Sequence, residues 1–287
     1  MDSHSNLESA QLGVCSWSLQ PASPADLAYK VSECGLHAVQ LALDPIRLDP
    51  STWPLRETWK KIDGAGISVL SGMMAMRGED YSTLESIRRT GGVRPDEHWE
   101  ANLAAARDNA EIAHQFGIEM VSFHAGFIPH DPNDPERIKV VDRILELADV
   151  FAEREITIAL ETGQESAQTL ISVLDELDHP MIGVNFDPAN MILYGMGDPV
   201  KALRDLALFI DQVHLKDAAP ASELGRWGTE TVLGTGAVDW GAFFQTVADE
   251  ELSCNFLIER EAGSQRIADV TSAARFVSEF GLRSRAE

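Results

Sequence analysis

The sequence predicts an α/β fold, a (β/α)8 TIM barrel in a single domain, and two observations carry that expectation. Short runs rich in Val, Ile and Leu alternate with longer stretches of helical period, eight times over in 287 residues. Such alternation implies a parallel sheet built from right-handed crossovers. No Pro-, Gly- or Ser-rich linker divides the chain, and eight consecutive units of about 36 residues suit a closed barrel better than an open doubly wound sheet. The barrel is expected over residues 11–282, preceded by a tail over 1–10.

The first strand is read over residues 12–17. Its helix is entered at Ser23, a capping residue, and Pro24, whose fixed φ suits a first turn, and it stops at Gly35. A strand over 38–43, a helix over 54–62 and a strand over 67–74 follow. The long amphipathic stretch 96–116 then closes on Gly117, because Gly takes the left-handed conformation without steric cost. The second half repeats the pattern with strands over 118–124, 156–161, 182–187, 210–216 and 255–261. Helices are expected over 135–154, 166–177, 199–208, 240–248 and 266–280. The principal insertion, 218–238, separates the seventh strand from its helix.

Composition narrows the function. With 46 Asp and Glu against 23 Lys and Arg, the net charge of −23 opposes any polyanion held by broad phosphate neutralisation, so nucleic acid is not expected as a partner. Cys15, Cys34 and Cys254 form neither an even disulfide set nor a CxxC pair and read as small buried hydrophobes. No apolar run reaches eighteen residues, and the first ten residues lack the basic head and apolar core of a signal peptide. A cytoplasmic protein with no membrane partner is expected.

Side chains alternate across a strand, so the parity of the large apolar residues shows which face meets the helices. In 156–161 Ile156, Ile158 and Leu160 share one parity, which turns Glu161 into the barrel. The same split turns Asn185 and Asp187 inward in the sixth strand, Gln212, His214 and Lys216 in the seventh, Glu259 and Glu261 in the eighth, and His124 in the fourth. Glu161, Asp187, His214 and Glu259 thus converge at the carboxyl ends of their strands, where barrels build their active sites. Three carboxylates and an imidazole at one point repel unless a cation sits between them, so a divalent metal site is expected. This hard-to-borderline set suits Mn2+ or Mg2+ and admits Co2+ or Zn2+. Taken singly, each residue also has a plain structural use: a strand-end carboxylate can cap the next helix, and Lys216 can pair with Asp217. Phosphate recognition has only Arg226, Gly234 and Gly236 as candidates, which favours an unphosphorylated substrate. His4, His37, His98, His114, His130 and His179 show no ligand spacing and read as surface or structural, with His130 in a loop from which it could reach a substrate.

At the segments LGVCSWSL, VSFHAGF, IALETGQES, VNFDPANM, VHLKDA, LGTGAVDW and FLIERE the chain resembles the xylose isomerase-like TIM barrel superfamily, the sugar phosphate isomerase/epimerase group. The resemblance implies metal ligands at Glu161, Asp187, His214 and Glu259, with general acid/base roles for Glu161 and Glu259. It also implies substrate-facing positions for Trp17, His124 and Lys216. Parity does not separate Glu259 from Glu261; the family pattern selects Glu259 as the ligand and leaves Glu261 among the substrate contacts. Asn190, also a candidate substrate contact, stands where ketose 3-epimerases of the group carry His. The expected activity is isomerisation or epimerisation of a small keto-sugar or aldose through an enediolate, with a lyase or dehydratase of a keto-inositol or 3-keto-glycoside as the alternative. A homo-oligomer is also expected, since barrels of this kind often associate.

Overall fold

A computed structural model describes residues 10–223 and 225–285. Of the expected tail only Ala10 falls within them, and it is buried in the core; His4 lies outside the described residues. The strands are β1 (Leu12–Cys15), β2 (Ala38–Ala42), β3 (Ser68–Met73), β4 (Met120–Phe123), β5 (Thr157–Glu161), β6 (Ile182–Phe186), β7 (Ile210–Leu215), β8 (Asp217–Ala219), β9 (Thr229–Thr231) and β10 (Asn255–Ile258). Eight of them close into a parallel barrel in the order β1-β10-β7-β6-β5-β4-β3-β2, while β8 and β9 form a separate antiparallel pair. The outward residues Ile158, Leu160, Val184, Phe186, Val213, Leu215, Phe256 and Ile258 are all buried beneath the surrounding helices, as their parity requires.

The helices begin and end for local reasons. Ser23 accepts from Asp26 N ahead of Pro24–Glu33, Asp134 caps Pro135–Ala152, Asp198 caps Pro199–Leu206, and each of these helices has Pro in its first turn. Asp96–Phe116 runs as expected and stops where Gly117 adopts φ 69°. No helix among the described residues is long and apolar enough to cross a membrane.

Three features depart from the expectation. The first strand stops at Cys15, and Trp17 sits instead on a 3-10 turn, Ser16–Leu19, closed by Gln20 N donating to Trp17 O. Short helices Asp44–Leu48, Leu84–Thr90 and Pro188–Tyr194 occupy segments read as connections; each is too brief to show a helical period. The insertion is also folded, and two carboxylates pin it down. Asp217 Oδ2 accepts from Gly234 N, Gly236 N and Trp240 Nε1, and its Oδ1 accepts from Ala218 N and Val238 N. Gly236 is required there, since a Cβ would come within 2.2 Å of Asp217 Oδ1. Glu230 on β9 accepts from the backbone of Glu261 and Ala262 and from Arg260, tying the insertion to the segment after β10.

Candidate metal centre and substrate cavity

Each inward side chain at a strand end is held by the backbone that carries it. Asp187 follows β6 directly and caps the helix Pro188–Tyr194: its Oδ1 accepts from Asn190 N at 2.9 Å. The capping role that a strand-end acid can play is therefore filled, but by one oxygen only. Asp187 Oδ2 is buried and makes no hydrogen bond. His214 Nδ1 and Glu259 Oε2 are likewise buried without a hydrogen bond of good geometry. Burying Asp187 Oδ2 and His214 Nδ1 unsatisfied is costly, Glu259 Oε2 has only the Lys216 ammonium at 3.0 Å, and all three atoms belong to one cluster. One ligand atom from each of Glu161, Asp187, His214 and Glu259 lies within 4.8 Å of the others. The donor set fits a divalent cation, and this is a divalent-metal-binding cluster.

The electrostatics agree. Burial alone would raise all three carboxyls. Glu161 is nevertheless held low by the His124 and His214 imidazoles, and Glu259 well below the usual range by Lys216 and His214. Asp187, buried and facing both glutamates, is pushed well up despite Lys216. Two neighbouring acids kept ionised beside a third that resists ionisation mark a surplus of negative charge that a cation relieves.

A polar layer inside the barrel fixes the orientation of this cluster. Gln40 Nε2 donates to Gly72 O at 3.1 Å and to Ser122 Oγ at 2.8 Å. A carbonyl only accepts, so the amide cannot be reversed, and Gln40 Oε1 faces His214 Nε2 at 2.7 Å. Gln40 thus favours a proton on His214 Nε2 and leaves Nδ1 facing the acids, 3.5 Å from Glu161 and 3.4 Å from Glu259. These acids hold the imidazole protonated well above its ordinary range, and a bound ion would take the place of the Nδ1 proton. From the other side Ser71 donates to Gln212, Gln212 to Asn185, and Asn185 to Glu161 Oε2. Cys15 also comes within range of His214 and Glu259, but burial pushes its thiol up to about 12 and it donates to Gln40, so it stays outside the ligand set.

Around the cluster lie the other expected residues. His124 Nε2 is 3.6 Å from Glu161 Oε1, and Asn190 Nδ2 donates to the same oxygen at 3.0 Å. Trp17 Nε1 donates to Glu259 Oε1 at 2.7 Å. Lys216 Nζ reaches Glu259 at 3.0 Å and Glu261 at 2.6 Å, and it lies 3.8 Å from Asp187. These acids outweigh the pull of burial and hold the ammonium protonated well above its ordinary range. The pairing of Lys216 with Asp217 is not formed, because the Asp217 carboxylate is spent on the insertion. Glu261 is half exposed, beyond the four-residue cluster, and meets it only through Lys216.

A cavity of about 540 Å³ opens above the cluster, with Trp17, His124, Asn190, Lys216, Glu259 and Glu261 on its lining. Glu79, Tyr81, Tyr194 and Trp227 also face it, and sequence reasoning missed all four. The available signal was their place a few residues beyond the carboxyl end of a strand, or in the insertion. Burial pushes the Glu79 carboxyl up even though Gly92 N and Tyr81 Oη donate to it. Arg226, His37, His98, His114 and His179 are absent from the lining, and Arg226 is exposed beside Glu223. Gly234 and Gly236 serve Asp217, and His130 Nδ1 is engaged with Thr169.

The chain is similar to known proteins over most of this architecture. The profile of the xylose isomerase-like TIM barrel family matches residues 28–280. The solved xylose isomerase domain protein of Planctomyces limnophilus is 30% identical, with a TM-score of 0.82 over 88% of this chain and 91% of that one. The 3-oxo-isoapionate decarboxylase of Pectobacterium atrosepticum is 27% identical over 146 residues, 50% of this chain and 52% of that protein. The 3-dehydroshikimate dehydratase of Bacillus anthracis is 29% identical over 98 residues, 33% of this chain and 35% of that protein. The chain thus matches about half the length of the first curated relative and about a third of the second. With its profile match and its closed barrel carrying the acid and imidazole cluster, the chain belongs to the xylose isomerase-like TIM barrel family.

Proposed function

We propose that the protein is a divalent-metal-dependent lyase that takes a proton from the carbon beside a ketone of a small polyhydroxylated substrate and expels an oxygen from the next carbon. The observation that carries this reading is the asymmetry across the cluster. Both oxygens of Glu259 are engaged, one by Trp17 and one by Lys216, which suits a fixed ligand better than a mobile base. On that side the group able to give a proton is the Lys216 ammonium. Across the barrel mouth, beyond β4, His124 faces the cavity with Glu161 behind it. A base on one side and a cationic acid on the other match elimination, whereas epimerisation asks for two groups that exchange one proton. Both curated relatives carry bond-breaking names, a decarboxylase and a dehydratase, which supports the same ranking.

Glu161, Asp187, His214 and Glu259 hold the metal, and their acid-rich set favours Mn2+ or Mg2+ over Co2+ or Zn2+. A bound divalent ion supplies positive charge that stabilises an enediolate. His124 takes the carbon-bound proton, Glu161 compensates the imidazolium, and Lys216 protonates the leaving oxygen. Isomerisation or epimerisation is the second reading, favoured by the placement of Glu161 and Glu259 on well-separated strand ends of one cluster.

Incubation of Mn2+-loaded protein with keto-sugars and keto-inositols in D2O, followed by NMR, separates the two. A dehydrated product supports the lyase; a new epimer or aldose carrying deuterium, with no elimination, overturns it. Lys216→Met should lower turnover by about 10²- to 10⁴-fold while metal content stays unchanged.

A further inference from the structure

The charges and surfaces around the cavity select among substrates. Among the described lining residues the only basic side chains are Lys216 and His124, and both are already faced by carboxylates. Asp44 also lines the cavity but is neutralised by Arg47 at 2.6 Å. Glu161, Asp187, Glu259 and Glu261 set four carboxyl groups around Lys216 and His124. A substrate carboxylate or phosphate therefore finds no unpaired basic side chain on this lining.

The wall beyond the floor is aromatic. Tyr194 lies one helical turn past Asn190 on the helix Pro188–Tyr194, about 6 Å further from the cluster along the axis. Its ring meets Trp227 of the insertion edge to face at 4.8 Å, and Gly228 N donating to Leu193 O presses the insertion against that helix. Gln164 Nε2 donates to Tyr194 Oη, which fixes the ring. The Trp227 indole N–H has no acceptor within the protein among the described residues. A fixed aromatic corner of this kind, in a cavity larger than a single sugar ring fills, presents flat apolar surface to a second ring.

We propose that the cavity takes an uncharged glycoside, one polyhydroxylated ring over the acids and a second ring against the Tyr194–Trp227 corner. This rests on the lyase reading for the reacting ring and adds the class of molecule that carries it. It sets the chain apart from an enzyme for sugar acids or sugar phosphates.

The test measures binding without turnover, on Mn2+-loaded protein, by calorimetry. The probes are methyl glycosides, phenyl glycosides and phenyl glycosiduronic acids in gluco, galacto and manno configuration. In at least one configuration the phenyl glycoside should bind about tenfold or more tightly than the methyl glycoside, and the uronic acid about tenfold or more weakly than its neutral partner. Trp227→Ala should erase the phenyl advantage and leave methyl glycoside affinity unchanged. A uronic acid bound as tightly as its neutral partner, a phenyl advantage that survives Trp227→Ala, or no binding in any configuration overturns the proposal. The expected ranking combined with epimerised rather than eliminated keto-sugar would sink the lyase reading alone.

Discussion

The floor of the cavity and its wall are built in opposite ways. The floor is made from residues in the barrel strands or directly at their ends, whose positions the barrel register fixes: His214 stands opposite Leu257 and Glu161 opposite Asn185 in the ladders, and Asp187 and Glu259 follow β6 and β10 directly. Beneath them Gln40, Ser71, Ser122, Asn185 and Gln212 are completely buried and joined by hydrogen bonds. The wall is made from residues beyond the strands, and its anchors are a helix end and an insertion. Under the proposed function the difference assigns separate tasks: the floor would hold the ion and carry the chemistry, and the wall would select which molecule reaches them.

The sharpest way to break this division is at the floor. Asp187→Asn keeps a good helix cap, because Asn and Asp cap about equally well, but removes the anionic oxygen that faces the cluster. Combined with Glu161→Gln it should abolish binding of a divalent ion, normally about one per chain, with the melting transition retained; full occupancy in the purified double variant would refute the ligand assignment. A smaller effect is expected one layer down. Gln40→Leu removes the acceptor that holds the His214 proton on Nε2 and should weaken metal affinity about 10- to 100-fold. Imidazole ¹⁵N shifts of the metal-free variant, taken at a pH high enough to neutralise His214, should then report a mixed tautomer, and an unchanged spectrum would show that Gln40 does not set it.

The smallest effect is at the junction of floor and wall. Glu165, four residues past Glu161 in the connection after β5, is buried, and desolvation pushes its carboxyl up to about 8. A folded-state value above the unfolded one favours the protonated native form, so its stability is complete below about pH 4.5 and falls as pH rises toward about 8. Glu165→Gln should remove that loss, raising the melting temperature by several degrees at pH 8–9 and changing little near pH 5. Equal shifts at both pH values would show that the group titrates normally.

The same division governs what could be read from the sequence. Glu161, Asp187, His214 and Glu259 were legible because a strand repeats every two residues and the helices claim the apolar parity. Asn185 and Gln212 were read as inward by that rule, yet their bonds to neighbouring strands depend on register, which one strand does not reveal. Gln40, between Val39 and Leu41, offered the plain signal of a polar residue in an apolar run. The wall obeys no period. Glu79 and Tyr81 lie in an irregular segment after β3, Tyr194 ends a seven-residue helix that opens at the strand's last acid, and Trp227 belongs to the insertion. The segment Leu12–Trp17 looked like one strand because nothing in its composition marks the turn at Ser16.

The Asp217 staple makes the insertion an interchangeable part. One carboxylate receives five donors from the loop's own ends and from Trp240, and the turn it grips needs little more than glycine at position 236. A loop of different length and sequence could be seated on the same acid, carrying a new side chain to the place of Trp227, while the strands below keep their register. Diversification of such a barrel can then proceed by grafting, with new specificities tried on an unaltered reaction centre.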